Sequence, residues 1–296
     1  MPRRARLDAE LVRRGWARSR EHASELVAAG RVTVRGMVAK KSATAVETAA
    51  PIVVNEDVDD PRWASRGAHK LLGALAAFEP EGLSISGRRC LDAGASTGGF
   101  TDVLLRRDAR EVVAVDVGYG QLVWALQTDE RVRVQDRTNV RSLSPEDIGG
   151  KVDLVVADLS FISLKLVLPA LHACAVQDAD LVLMIKPQFE VGKQRLGSGG
   201  VVRDPGLRTE AVVDVVRFAA DSGLGLRAVE ASPLPGPSGN VEFFVWLRAG
   251  SSTSASEATE LVVDAVRRGP QTANNGGVTD AAAVASTSDE RQGSGS

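Results

Sequence analysis

The chain is poor in the residues that build metal sites and disulfide frameworks. It has two cysteines, Cys90 and Cys174, and three scattered histidines in 296 residues, so no metal-ligand spacing is present. Both cysteines lie in apolar segments and read as buried free thiols of a reducing compartment. Long hydrophobic runs are also lacking, since stretches such as Asp180-Leu-Val-Leu-Met-Ile-Lys186 are too short to cross a bilayer. No apolar core follows Arg3-Arg4, so no export signal is expected there. Together these absences lead to the expectation of a cytoplasmic chain with no metal, no membrane partner and no obligate protein partner.

Net charge is nearly lacking as well, at −2, but the balance is uneven. Residues 1–41 hold eleven Lys or Arg against four Asp or Glu, a formal charge of +7. A basic segment on a near-neutral protein points to a polyanionic partner, nucleic acid before membrane. The segment also has the pattern of a small domain over 1–56. Asp8 is placed to cap a helix that Gly15 stops, Ser19 to cap a second ending at Gly30, and Arg31-Val-Thr-Val-Arg35 and Pro51-Ile-Val-Val54 alternate as strands. Packing the helices on that sheet leaves Arg3, Arg4, Arg6, Arg18, Arg20, Arg31, Arg35, Lys40 and Lys41 as candidate RNA contacts.

An acidic stretch ending at Pro61 makes residues 57–62 a linker. From 63 to 249, strand and helix patterns alternate, which predicts a doubly wound, Rossmann-like α/β domain with a parallel sheet. The strands fall near 88–92, 111–116, 132–134, 152–158, 180–186, 226–231 and 241–248. From Gly250 to 296 small and polar residues dominate, and the tail reads as disordered apart from a stub near Leu261–Arg267.

The chemistry centres on Arg89-Cys-Leu-Asp-Ala-Gly-Ala-Ser-Thr-Gly-Gly-Phe100, a strand, a glycine-rich turn and a helix start. Such a turn holds nucleotide-like ligands, with Gly94, Ser96, Gly98 and Gly99 as candidate contacts. Asp92 just before it would repel a pyrophosphate, so a ligand with a cationic end, S-adenosylmethionine, suits the loop better than NAD. Asp116, closing the next strand, is placed to accept ribose hydroxyls and fits either ligand. Asp136, after Val132-Arg-Val-Gln, is a candidate for the adenine amino group. If the first and fourth strands are neighbours, Asp158 faces the same crevice. Lys186 closes the apolar fifth strand, and Glu242 opens the last one near the same rim. Lys70, early in an amphipathic helix, reads by itself as a surface lysine.

The N-terminal pattern, from Arg6-Leu-Asp through Gly15, Ser19-Arg20 and Gly30 to Gly36, resembles the S4 domain, an RNA-binding module. Ser65-Arg-Gly-Ala-His-Lys-Leu71, Leu91-Asp-Ala-Gly-Ala-Ser-Thr-Gly-Gly-Phe-Thr101, Val156-Ala-Asp-Leu-Ser-Phe-Ile162, Ile185-Lys-Pro-Gln-Phe-Glu190 and Gly239-Asn-Val-Glu242 resemble the TlyA family over about residues 3–248. That family joins an S4 domain to an FtsJ-like methyltransferase domain. The resemblance implies methylation of a cytidine 2′-hydroxyl in ribosomal RNA, free or within ribosomal subunits, with S-adenosyl-L-methionine as donor. It also implies a catalytic set that falls on Lys70, Asp158, Lys186 and Glu242. Two lysines converging on one hydroxyl are expected to lower each other's pKa, with Lys186 as the base and Lys70 stabilising the developing alkoxide. The family has also carried a haemolysin label, so a membrane-active protein stands as the alternative, with an NAD oxidoreductase behind it.

Overall fold

The computed structural model describes residues 4–17, 20–55, 62–236, 238–250 and 253–270. Arg3 and Arg18, two of the expected RNA contacts, lie outside these residues, as do most of the expected linker and the tail beyond Pro270.

The N-terminal part runs β1 (Arg4–Arg6), α1 (Leu7–Arg13), α2 (Arg20–Ala28), β2 (Val32–Val34), β3 (Met37–Val38), β4 (Ala45–Glu47) and β5 (Ile52–Val54). Leu7, Leu11, Ala23, Leu26 and Val27 of the helices pack on Val32 and Ile52 of the sheet, and this apolar cluster is the reason the module holds together. β2 lies between β3 and β5, antiparallel to both. The β1–β4 pair was not foreseen, because three-residue strands flanked by charge carry too little alternation to read.

Asp8 does not cap α1; the cap position is Arg6 and Asp8 lies inside the first turn, 3% exposed. Burial without charged partners would be costly, and Asp8 has two, Arg6 at 2.7 Å and Arg20 at 3.1 Å. Glu10 likewise holds Arg13 and Arg14. Hydrogen bonds from Arg6 and Arg13 in turn keep the two carboxyls well below their ordinary range, against the effect of burial. Part of the basic excess is therefore spent inside the module.

The larger part contains α3 (Gly67–Phe78), β6 (Arg89–Ala93), α4 (Gly99–Arg106), β7 (Glu111–Val115), α5 (Trp124–Gln127), β8 (Val132–Gln135), β9 (Val152–Ala157), α6 (Leu168–Ala173), β10 (Ala175–Ile185), α7 (Pro187–Glu190), α8 (Pro205–Asp221), β11 (Leu224–Ala231), β12 (Phe243–Ala249) and α9 (Ala255–Arg268). Its sheet has the order β11-β12-β10-β9-β6-β7-β8. Apolar clusters cover both faces, which explains why the central strands are nearly continuous runs of Val, Leu and Ile. The expected parallel sheet holds except at β12, which is antiparallel to β10 and β11. The eleven-residue link from Ser232 to Glu242 has no helix among its described residues and is too short for a crossover. The first and fourth strands, β6 and β9, are parallel neighbours, so the crevice opens where the strand order reverses.

The expectation of a disordered tail from Gly250 is corrected for its first part. α9 starts in a capping box between Ser254 and Glu257 and buries Val262, Ala265 and Val266. It packs on α8 and β11. The spacing of those three residues is the i, i+3, i+4 stripe of a docked helix.

α3 touches the Ser232–Asn240 turn at Gly73, where an added Cβ would stand 2.5 Å from Pro233 Cγ. Helix propensity alone favours alanine over glycine by about 1 kcal/mol, but overpacking against a rigid ring costs roughly 1–3 kcal/mol. Gly73→Ala is therefore expected to lower unfolding free energy by about 1 kcal/mol in urea titration; a stabilised variant would show that the contact yields.

Candidate active site

β6 ends under the glycine-rich turn. Asp92 is fully buried there, and its Oδ2 accepts a 2.6 Å hydrogen bond from Thr101 Oγ1. Its other oxygen has no hydrogen-bond partner. Burial pushes the carboxyl up to about 7 against the Thr101 hydrogen bonds, and the nearby Asp158 and Asp116 push the same way.

The turn is tied to the neighbouring strand, since Gly94 N and Ala95 N both donate to Val115 O. Gly94 has φ +88°, and a Cβ there would meet Asp158 O at 2.7 Å, so glycine allows the ends of β6 and β9 to approach. Ser96 N donates to Asp116 Oδ2 at 2.8 Å and Gly118 N to Asp116 Oδ1 at 2.7 Å. Asp136 Oδ2 accepts from Gly120 N at 2.9 Å. The two acids expected at the ribose and adenine thus shape the loops after β6 and β7.

A cavity of about 650 Å³ opens beside this turn. Gly94, Ser96 and Gly99 line it, together with Lys70, Asp158 and Lys186, and α2 contributes His22 and Glu25 to its wall. Gly98, Asp116 and Asp136 are not on its lining. Gly98 has a packing role instead, because a Cβ there would stand 2.3 Å from Leu126 Cδ1. The volume lies in the usual range for small-ligand clefts, roughly 300–1,000 Å³.

Four elements bring the expected catalytic residues together: α3 carries Lys70, and Asp158, Lys186 and Glu242 adjoin the ends of β9, β10 and β12. Lys70 Nζ donates to Glu242 Oε2 at 2.7 Å and to Asp158 Oδ2 at 3.4 Å. Lys186 Nζ forms an ion pair with Asp158 Oδ1 at 2.5 Å, outside hydrogen-bond angles, and donates to Ser160 Oγ at 2.9 Å. Glu242 is fully buried, Lys70 and Lys186 nearly so. Two ammonium groups and two carboxylates alternate, which is how such burial is tolerated.

The expected mutual lowering of the two lysine pKa values is corrected at Lys70. Burial pulls this lysine down, but the charges of Asp158 and Glu242 and its hydrogen bonds to them outweigh burial, and it ends above its ordinary value. The acids interleave with the lysines, so each cation meets an anion first.

A second cavity, of about 720 Å³, lies on the other side of Lys186. Phe161, Gln188, Phe189, Asn240 and Glu242 are among its lining. Phe161 is 91% exposed with φ +64°, and its ring centroid is 5.3 Å from that of Phe189. Glu190 fastens this side, accepting from Ser163 Oγ at 2.6 Å and from Leu164 N at 2.7 Å. Gln188 Nε2 donates to Glu242 Oε1 at 3.4 Å. Gln188 and Glu190 stand inside the Ile185–Glu190 motif, yet nothing in their spacing announces these partners. Ser160 also went unmarked, and its place directly after Asp158-Leu159 was the signal available.

Of the expected RNA contacts, Arg4, Arg6, Arg20, Arg35, Lys40 and Lys41 are exposed and Arg31 is half-buried. Arg4 donates to Ala45 O, Arg31 to Asn55 O, and Arg35 pairs with Glu47. Arg6 and Arg20 share Asp8, as described above. Among the described residues no group of three or more His, Cys, Asp or Glu is arranged to hold a metal ion. Nor is any helix among them long and apolar enough to cross a membrane.

Comparison with known proteins bears on both parts of the chain. The family model described as FtsJ-like methyltransferase matches residues 63–249, and that of the S4 domain matches residues 5–50. The 16S/23S rRNA (cytidine-2′-O)-methyltransferase TlyA of Mycobacterium tuberculosis is 59% identical over 272 residues, 91% of this chain and 100% of the relative. Hemolysin A of Brachyspira hyodysenteriae is 34% identical over 239 residues, 80% of this chain and 97% of that one. A solved structure from Streptococcus thermophilus that also bears the hemolysin name superposes with a TM-score of 0.70 at 36% identity, covering 90% of this chain and 97% of its own.

Asp92 makes a pH-dependent prediction. Between the unfolded carboxylate value near pH 4 and about 7, the folded chain keeps a proton that the unfolded chain has released. Its contribution to stability is complete below that window and is lost as pH rises through it. Ligand-free Asp92→Asn, which cannot titrate, should gain on the wild type in thermal melts as pH rises from about 5 to about 8. A difference that stays constant with pH would contradict the assignment.

Proposed function

The chain belongs to the FtsJ-like methyltransferase family, in the TlyA group that adds an S4 domain, and we propose that it transfers a methyl group from S-adenosyl-L-methionine to a cytidine 2′-hydroxyl of ribosomal RNA. The observation that carries this reading is the Asp158 carboxylate, which contacts both lysines beside the glycine-turn cavity. Two of the relatives bear a haemolysin name, and no helix among the described residues is long and apolar enough to cross a membrane.

The cleft beside the turn suits the donor. Gly94, Ser96 and Gly99 would lie along its methionine and ribose portions, over the buried Asp92, whose orphaned oxygen favours a cationic neighbour. Asp116 and Asp136 border that cleft through the loops they hold, and both keep acceptor capacity for ribose and adenine groups. When bound, the donor supplies an electrophilic methyl on a sulfonium, which makes a good leaving group.

A ribose hydroxyl is a weak nucleophile at neutral pH, so the protein must take its proton as the new bond forms. Lys186 is the base in this reading, since it stands at the junction of the two cavities. Lys70, held in the ammonium form by two acids, stabilises negative charge growing on the sugar oxygen. Glu242 fixes Lys70, and Asp158 orients both lysines. The Phe161–Phe189 side offers an apolar surface for a base turned out of the RNA. Phosphate contacts from the S4 module then supply salt-sensitive affinity through Arg4, Arg6, Arg20, Arg31, Arg35, Lys40 and Lys41.

The test is incubation of ribosomal RNA and ribosomal subunits with labelled donor, followed by mapping of the label. The expected product is a cytidine methylated on its 2′-oxygen. Lys186→Ala should lower turnover by at least about 100-fold while donor affinity is kept, as for loss of a general base. Unchanged turnover would remove Lys186 from the mechanism, and label on a base atom would refute the sugar as acceptor.

A further inference from the structure

Ser160 and Lys186 are the two residues shared by the linings of both cavities. Ser160 is exposed and Lys186 is buried, and the serine hydroxyl accepts a 2.9 Å hydrogen bond from Lys186 Nζ. We propose that Ser160 is a positioning residue of methyl transfer, holding Lys186 Nζ so that its remaining face is turned to the acceptor hydroxyl. This rests on the methyl-transfer reading above.

The surroundings of the two lysines differ in a way that makes this role necessary. Lys70 Nζ is enclosed by Glu242 at 2.7 Å, Asp158 at 3.4 Å and Met184 Sδ at 3.8 Å. An ammonium has three hydrogens, and all three directions around Lys70 are taken. Lys186 Nζ has Asp158 on one side and Ser160 on another, and its third side is open to the cavities. With only Asp158 to hold it, the lysine nitrogen could pivot about the carboxylate oxygen it touches; the second contact, to Ser160, fixes its orientation. A second acid in place of the serine would fix the nitrogen but also stabilise its charged form. A neutral acceptor fixes the nitrogen without that charge.

The backbone keeps Ser160 in place. The next residue, Phe161, is in the left-handed region at φ +64°, a conformation that costs energy for a side-chain-bearing residue. Two residues further on, Ser163 and Leu164 are fastened to Glu190, four residues after Lys186. One carboxylate thus ties the Ser160 loop to the segment that carries Lys186. In the transfer itself the 2′-oxygen forms its bond to the methyl carbon as the carbon–sulfur bond breaks, and the sulfonium takes that electron pair to become a thioether. The hydroxyl proton passes to the Lys186 lone pair and leaves later to solvent.

The experiment uses the full-length chain with ribosomal subunits as acceptor. It compares kcat, KM, the pH–rate profile and affinity for S-adenosylhomocysteine in wild type, S160A, S160T and S160D, with thermal melts of each. S160A should lower kcat roughly 10- to 100-fold, the loss of one hydrogen bond to a charged group, while KM and product affinity stay within about twofold. S160T should recover most of the rate, and S160D should move the acid limb of the profile to higher pH. An S160A enzyme with wild-type kcat overturns the proposal alone, as does a loss confined to KM or one that threonine does not restore. Wild-type protein that binds donor yet labels no RNA sugar overturns the underlying reading, and this proposal with it.

Discussion

The structure depends on one carboxylate serving two ammonium groups. Asp158 lies between Lys70 and Lys186, and Glu242 completes a row in which the charges alternate. Each of these ions by itself would be expensive to bury, and in water such pairs are worth little. Interleaved, they can be held near the protein interior without a large net charge, at the place where the sheet order reverses. Such a cluster brings no guaranteed stability, since an apolar replacement of similar volume often matches or exceeds it. Its retention in the chain is better understood through what it can do to a hydroxyl group.

The fold supplies the convergence. β6 and β9 are adjacent, so the glycine turn after one and Asp158 after the other share an edge. β10 delivers Lys186 beside them, and the antiparallel β12 brings Glu242 to the same rim from the opposite chain direction. That reversal matters, because a parallel last strand would present its far end to the site. α3 crosses over the turn closely enough that a Cβ on Gly99 would stand 2.8 Å from Ala68 N, which sets Lys70 over the cluster. The small N-terminal domain closes part of the cavity beside the glycine turn through His22 and Glu25. RNA held by that domain would therefore rest close to the chemistry.

Much of this was legible in the residues because buried strands announce themselves. Val152-Asp-Leu-Val-Val-Ala and Leu181-Val-Leu-Met-Ile are apolar runs that end on a charge, and a charge in that position has to be explained. Lys70 was not legible that way, since on its helix it looks like any surface lysine; only the surrounding motif marked it. Antiparallel β12 escaped because strand direction is set by the length of the preceding link, which periodicity does not report. α9 was legible only as a stub near Leu261–Arg267; its first half lies in a stretch of serine and alanine, where the capping box of Ser254 and Glu257 was outweighed by composition. The pairing of Asp8 with Arg20, and the roles of Ser160 and Glu190, depend on contacts between residues far apart in the chain that no local pattern encodes.

If Asp158 makes the two lysines one unit, the most direct measurement is a double-mutant cycle on the chemical step. Single-turnover methyl transfer to ribosomal RNA would be compared for wild type, Asp158→Asn, Lys186→Met and the combined variant. The account predicts strong non-additivity, with the double variant within about tenfold of the slower single one, as for residues acting together. Losses that simply multiply would mean that Asp158 and Lys186 act independently, and the bridged cluster would not be the source of the activity.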